Sequence, residues 1–183
     1  MSTISTPHSL LVLGGARSGK SRYAQELAES AAREPWLIAT AEAGDAEMAA
    51  RIARHASERG ARWRLVEEPL DLAGALGRTS APGRLVVVDC VTFWLANLMF
   101  ARRDPDAAID ALAAALPTLA GPVVLVSNEV GLGVVPDNAL GREFRDVQGR
   151  ANQALAAACE AVALVTAGLP ALLKPAPRPD FRF

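Results

Sequence analysis

From Leu10 to Gln25 the chain reads LLVLGGARSGKSRYAQ. An apolar run ends in two glycines, crosses a small basic loop and enters a stretch of helix formers. Gly14, then Gly19, Lys20 and Ser21 satisfy the spacing G-x-x-x-x-G-K-[ST]. No other feature restricts the fold as much, because this spacing works only where a strand delivers the loop and a helix receives it. Glycines let the backbone curl until several N–H groups converge on one anion. The helix N-terminus adds its dipole to the same point. The lysine reaches the β- and γ-phosphates, and the serine hydroxyl is a ligand for Mg2+. Gly14 to Ser21 therefore reads as a P-loop for GTP or ATP. Only two of the nineteen Lys and Arg residues are lysines. A compact ammonium enters such a cradle as a point charge, whereas a planar guanidinium would clash there.

The rest of the pattern agrees with this anchor. Short apolar runs at Leu10–Leu13, Trp36–Thr40, Leu85–Val88, Val123–Val126 and Val162–Thr166 predict buried strands, with a further short one at Trp63–Val66. Helical segments are expected over 18–33, ended by Pro35, then from an Asp45 cap to Gly60, over Leu72–Leu76, Thr92–Ala101, Asp106–Leu116 and from Asn138 to about Glu160. Gly149 inside the last helix is expected to mark close packing. All-apolar strands alternating with helices predict an α/β fold, a mostly parallel sheet covered by helices on both faces. Val162–Thr166 is expected to be its last strand. Residues 1–183 suit a single nucleotide-binding domain, with 1–8 and 175–183 as flexible tails.

Net charge is −1, which gives no reason to expect nucleic acid. No apolar run reaches the ~18 residues of a membrane span. The start, MSTISTPHSL, lacks the features of a signal peptide. These points predict a cytoplasmic protein. Cys90 and Cys159 show no metal spacing and read as reduced thiols.

In a parallel sheet, ligands sit at the carboxyl ends of the strands. Asp89 closes the strand RLVVVD, where it is either the second magnesium-side acid or the cap of the next helix. In DAEMAARIARHASERGARW, Arg51, His55 and Arg59 recur every four residues, so they share one helix face. They read either as a solvated basic face or as a neutral imidazole flanked by cations that bind phosphate. Such an imidazole can attack phosphorus. Asn128 and Glu129 leave a further strand. Glu129 is a candidate general base, a metal-shell ligand or a solvated loop carboxylate.

Four segments together, GGARSGKS, IATAEAGDAEMAARIARH, LVVVDCVTFWLANL and LVSNEVGLGVVP with FRDVQGRANQ, resemble the bifunctional adenosylcobinamide kinase/adenosylcobinamide-phosphate guanylyltransferase family of cobalamin biosynthesis. The likeness runs from Leu10 to about Lys174; the proline-rich end beyond it departs from the family. The resemblance implies a RecA-like P-loop fold and a homotrimer. It implies two reactions: phosphorylation of adenosylcobinamide by a nucleoside triphosphate, then transfer of GMP from GTP to adenosylcobinamide phosphate through a guanylyl-histidine. His55 would be that histidine. Gly14, Gly15, Ala16, Arg17, Ser18, Gly19, Lys20 and Ser21 would hold phosphates. Ala39, Thr40, Ala41, Ala56, Ser57, Glu58, Arg59, Glu67 and Asp89 would contact nucleotide, with Ser21 and Asp89 at the metal. The alternatives are a P-loop kinase with one activity and a nucleotide-dependent binding module.

Overall fold

A computed structural model describes residues 7–41, 60 and 62–175. The chain runs β1 (Ser9–Gly14), α1 (Lys20–Ser30), β2 (Glu34–Ala39), β3 (Arg64–Glu67), α2 (Leu72–Thr79), β4 (Arg84–Asp89), α3 (Val91–Phe100), α4 (Pro105–Ala115), a 3-10 turn (Leu116–Thr118), β5 (Val123–Asn128), α5 (Ala139–Ala158), β6 (Ala161–Thr166) and β7 (Leu169–Lys174). The strands form one sheet in the order β3-β2-β4-β5-β1-β6-β7. All neighbours are parallel except β6 and β7.

Strand alternation divides the core between the two faces. Leu11 and Leu13 of β1, Val86 and Val88 of β4 and Leu125 of β5 pack with α2, α3, α4 and α5, around the fully buried Trp94, Leu95, Leu112 and Leu155. Leu10, Val12, Val87, Val124 and Val126 point the other way, against Ala24 and Ala28 of α1. The alanines let α1 lie close to the sheet. That closeness matters because α1 begins at the P-loop.

Four expectations need correction. The first helix is shorter than 18–33, and Pro35 does not end it: Pro35 lies within β2. It sits before the β2–β3 ladder starts at Trp36, so its missing N–H is not required there. Val162–Thr166 belongs to β6, which is not the last strand; β7 follows through a two-residue turn at Ala167 (φ 52) and Gly168 (φ 81). Two positive φ values in succession match the right-handed twist of a hairpin. β7 is an edge strand, so Pro170 is tolerated within it. Gly149 faces open space, with no atom within 4 Å of where a Cβ would stand, so it marks no close approach. His8, placed in the frayed tail, is tied down instead: its N–H donates to Glu160 Oε2 (2.7 Å) and its carbonyl accepts from Val123 N (3.0 Å). The expected helix from Asp45 to Gly60 falls almost wholly outside the described residues.

Candidate nucleotide site

The strand order collects the predicted residues into one row. Along the carboxyl edge of the sheet stand Glu67 of β3, Ala39 of β2 with Thr40 and Ala41 after it, Asp89 of β4, Asn128 and Glu129 of β5, and Gly14 of β1. Cα pairing puts Ala39 beside both Glu67 and Asp89, and Gly14 beside Asn128.

The loop from Gly14 to Ser21 has the build of an anion cradle. Arg17 and Gly19 both take positive φ, 56° and 96°, which curls the chain before α1 starts at Lys20. No acidic side chain occupies the first turn of α1, so nothing there opposes an anion. A side chain at Gly14 would collide with Ser18 Oγ and with Val165 O of β6. The far side of the loop rests on the β6–β7 turn, where Gly168 N donates to Ser18 O at 2.8 Å. The sequence reading missed this support. The signal was a small Ala-Gly pair between two apolar runs, obscured by the proline in the second run.

Lys20 is only 8% exposed, and its Nζ donates to Gly15 O at 3.2 Å across the mouth of the loop. Ser21 Oγ donates to Asp89 Oδ1 at 3.4 Å. Asp89 is not the cap residue of the following helix: the residue at the start of α3 is Cys90. The capping alternative therefore falls away. A hydroxyl and a carboxylate side by side suit Mg2+, a hard cation that takes few protein ligands and fills its shell with phosphate and water oxygens. Ser18 Oγ is buried without a hydrogen-bond partner, so the loop keeps an unused polar group at its base.

Thr40 is fully buried and every polar atom it has is engaged. Its N–H donates to Asp89 O, and its Oγ1 donates to Cys90 O (2.7 Å) and accepts from Cys90 N (2.9 Å). Its carbonyl accepts from Asn97 Nδ2 (2.7 Å). Thr40 thus clamps the ends of β2 and β4 together and holds Asp89 at its station. Glu67 is exposed at the end of β3. His55, Ala56, Ser57, Glu58 and Arg59 lie outside the described residues. Burial pushes the neighbouring Cys90 thiol up to about 11, and the Asp89 carboxylate adds to the effect, so this cysteine stays protonated.

Beyond β5 lies a polar group that sequence reading left unconnected. Gln148 and Asn152, one turn apart on α5, are buried against Ser127, and Asn152 also reaches Glu129. Only the folded structure brings α5 to the end of β5.

Comparison with known proteins places the chain in a family. By shape the chain resembles a prototypical ATPase from the type III secretion system of pathogenic bacteria, with TM-score 0.58, 13% identity, and 87% of this chain and 51% of that chain covered. It also resembles the ATPase EscN from enteropathogenic E. coli, with TM-score 0.53, 14% identity, and 88% and 43% covered. At such identities the likeness speaks for the fold, a P-loop, RecA-like one. Sequence comparison goes further. The chain is 49% identical to the bifunctional adenosylcobalamin biosynthesis protein CobP of Pseudomonas aeruginosa, over 91% of this chain and 98% of that protein. It is 42% identical to the bifunctional adenosylcobalamin biosynthesis protein CobU of Escherichia coli strain K12, over 90% and 99%. The family model described as cobinamide kinase / cobinamide phosphate guanyltransferase matches residues 10–173. With that match spanning nearly the whole described sheet, from the first P-loop strand to the edge strand β7, the chain belongs to the cobinamide kinase / cobinamide phosphate guanyltransferase family.

Proposed function

We propose that this protein carries out two successive transfers at the carboxyl edge of its sheet: phosphorylation of adenosylcobinamide by ATP or GTP, then guanylylation of adenosylcobinamide phosphate by GTP. The observation that carries the reading is the P-loop with Ser21 against Asp89 and Lys20 across its mouth, in a chain of this family. Backbone N–H groups of Gly15 to Ser21 bind the phosphates, and Lys20 adds its charge at the β- and γ-phosphates. Ser21 and Asp89 would hold Mg2+, which when bound neutralises charge on the phosphate oxygens. Ala39, Ala41 and Glu67 line the adjoining edge, with the buried Thr40 behind them. Thr40 acts there through Asp89, which it positions.

In the second reaction His55 is the nucleophile. Its imidazole nitrogen bonds to the α-phosphorus of GTP, the bond to the bridging oxygen breaks, and pyrophosphate leaves. The GMP group then passes to the phosphate of the corrinoid. Arg51 and Arg59, at helical spacing on either side, neutralise the phosphates and keep the ring uncharged. Ala56, Ser57 and Glu58 join them at the nucleotide. The protein works as one domain, in the cytoplasm, as a homotrimer; sedimentation at three times 19.2 kDa checks the assembly.

His55→Asn tests the division of labour. It should abolish the covalent GMP adduct formed with α-labelled GTP, and corrinoid guanylylation with it, while phosphate transfer from γ-labelled nucleotide stays within about threefold. The wild-type adduct should be labile in acid and stable in base, as a P–N bond is. Normal adduct formation in the variant would place the nucleophile elsewhere. A wild type that labels its substrate only from the γ-position would be a simple kinase, and one that labels nothing a binding module.

A further inference from the structure

We propose that Glu129 is the general base of the phosphorylation step, and that Asn152 positions it. The inference rests on the phosphoryl-transfer reading above.

Glu129 follows β5, the strand between the P-loop strand and the strand of Asp89. Its N–H donates to Gly14 O at 3.1 Å, so its backbone is locked to the first residue of the phosphate loop. Asp89 pairs with Val126, three residues earlier on β5. At about 3.3 Å per residue, Glu129 stands roughly 10 Å further along the strand direction than the metal-side acid. That offset sets its backbone apart from that of Asp89 and beside the first residue of the phosphate loop, and the acceptor alcohol would approach the γ-phosphate from this side.

The carboxylate is also held. Glu129 Oε1 accepts from Asn152 Nδ2 at 3.0 Å, and the same nitrogen donates to Asn128 O at 3.0 Å. The Asn152 amide cannot turn over, because its Oδ1 accepts from Ser127 Oγ (2.7 Å) and from Gln148 Nε2 (3.0 Å). Gln148 donates to Ser127 Oγ as well (2.9 Å). Ser127 and Gln148 are fully buried and Asn152 nearly so. Two of the group's oxygens, Asn128 Oδ1 and Gln148 Oε1, have no hydrogen-bond partner. Burying incompletely satisfied amides destabilises a fold. Their outlet to the surface is one carboxylate beside the phosphate loop. A solvated loop acid would need no such support.

In the step, the acceptor hydroxyl oxygen bonds to the γ-phosphorus. The bond from that phosphorus to the bridging oxygen breaks, and its electron pair leaves on the nucleoside diphosphate. The hydroxyl proton passes to Glu129, which returns it to water after product leaves. Attack by an uncharged imidazole on GTP releases no hydroxyl proton, so the guanylylation of the enzyme does not need this base.

Glu129→Gln keeps the acceptor for Asn152 and removes the base. Phosphorylation of adenosylcobinamide should lose about 100-fold or more in kcat, with KM for the nucleotide and formation of the GMP adduct within about threefold of wild type. Asn152→Ala should lower the same kcat by about tenfold. The double variant should be no slower than Glu129→Gln alone, since two residues acting as a unit are not additive. Thermal melts and the adduct assay show whether each variant is folded. Unchanged phosphorylation in Glu129→Gln would overturn the proposal. So would equal loss of both reactions with recovery at raised Mg2+, which would make Glu129 a metal-shell ligand. Additive losses in the double variant would reduce Asn152 to a structural part. A wild type unable to phosphorylate adenosylcobinamide would instead sink the functional reading, and the base with it.

Discussion

The two lysines show how much a residue's chemistry decides in this chain. Arginine serves everywhere else as the permanent cation. At position 20 the ammonium is nearly enclosed and spans the loop to Gly15 O. A guanidinium is broader and planar, and cannot enter without opening the turn. Lys20→Arg should therefore cost about 100-fold or more in kcat/KM for both transfers, nearly as much as Lys20→Ala. Steady-state kinetics with each nucleotide, beside an unchanged thermal melt, checks this. Near-normal activity in the arginine variant would mean that charge alone is needed there.

At the scale of elements, the second lysine answers a different need. Helix α5 ends at Ala158 with no basic residue in its last turn. Lys174, at the end of β7, reaches back so that Nζ donates to the carbonyls of Ala156, Ala157 and Cys159. Three donors on one tetrahedral nitrogen meet three orphan acceptors of a helix C-terminus. The contact joins the edge strand to the helix that carries Gln148 and Asn152. Lys174→Met keeps the aliphatic stem and removes all three bonds, so it should destabilise by about 1–3 kcal/mol. The melting temperature should fall by several degrees, with the chemistry at the far edge of the sheet intact below it. The same hairpin backs the phosphate loop through Gly168 and Ser18. One late element thus serves both a helix end and the site.

At the scale of the whole molecule, both cysteines are sealed in the core of the sheet and helices. Burial pushes Cys90 up to about 11 and Cys159 up to about 12. In the unfolded chain thiols ionise near 8.5. Between about pH 9 and 11 the unfolded state binds fewer protons than the folded one, so stability falls as pH rises through that window. Denaturant midpoints measured from pH 7 to 10.5 should show the decline, and a Cys90→Ala/Cys159→Ala variant should show less of it. A thiol reagent at pH 7 should label neither cysteine until the protein is unfolded. Rapid labelling of the native protein would show that the core opens far more readily than its packing implies.

Local spacing was enough to read the strand, glycine loop and helix start at Gly14 to Ser21, six of the seven strands to within a few residues, and the parallel sheet, since each rests on interactions close in sequence: an apolar run, a glycine turn, a helix start. It was also enough to mark Asp89, because an acid closing an apolar strand stands out in any fold. Spacing left two roles open for Asp89, and its surroundings came only with tertiary structure: Ser21, sixty-eight residues away in sequence, donates to its carboxylate, and the residue at the start of the next helix is Cys90. Hairpin β6–β7 escaped notice because its turn is Ala-Gly and its second strand contains a proline that only an edge position tolerates. Thr40 gave no sign that its hydroxyl binds the backbone of Cys90. The link between Glu129 and Asn152 joins a strand end to the middle of a helix across a loop. Such pairings depend on which strands are neighbours and how a helix is rotated against the sheet, and those are settled by packing the entire core, not by any short stretch of residues.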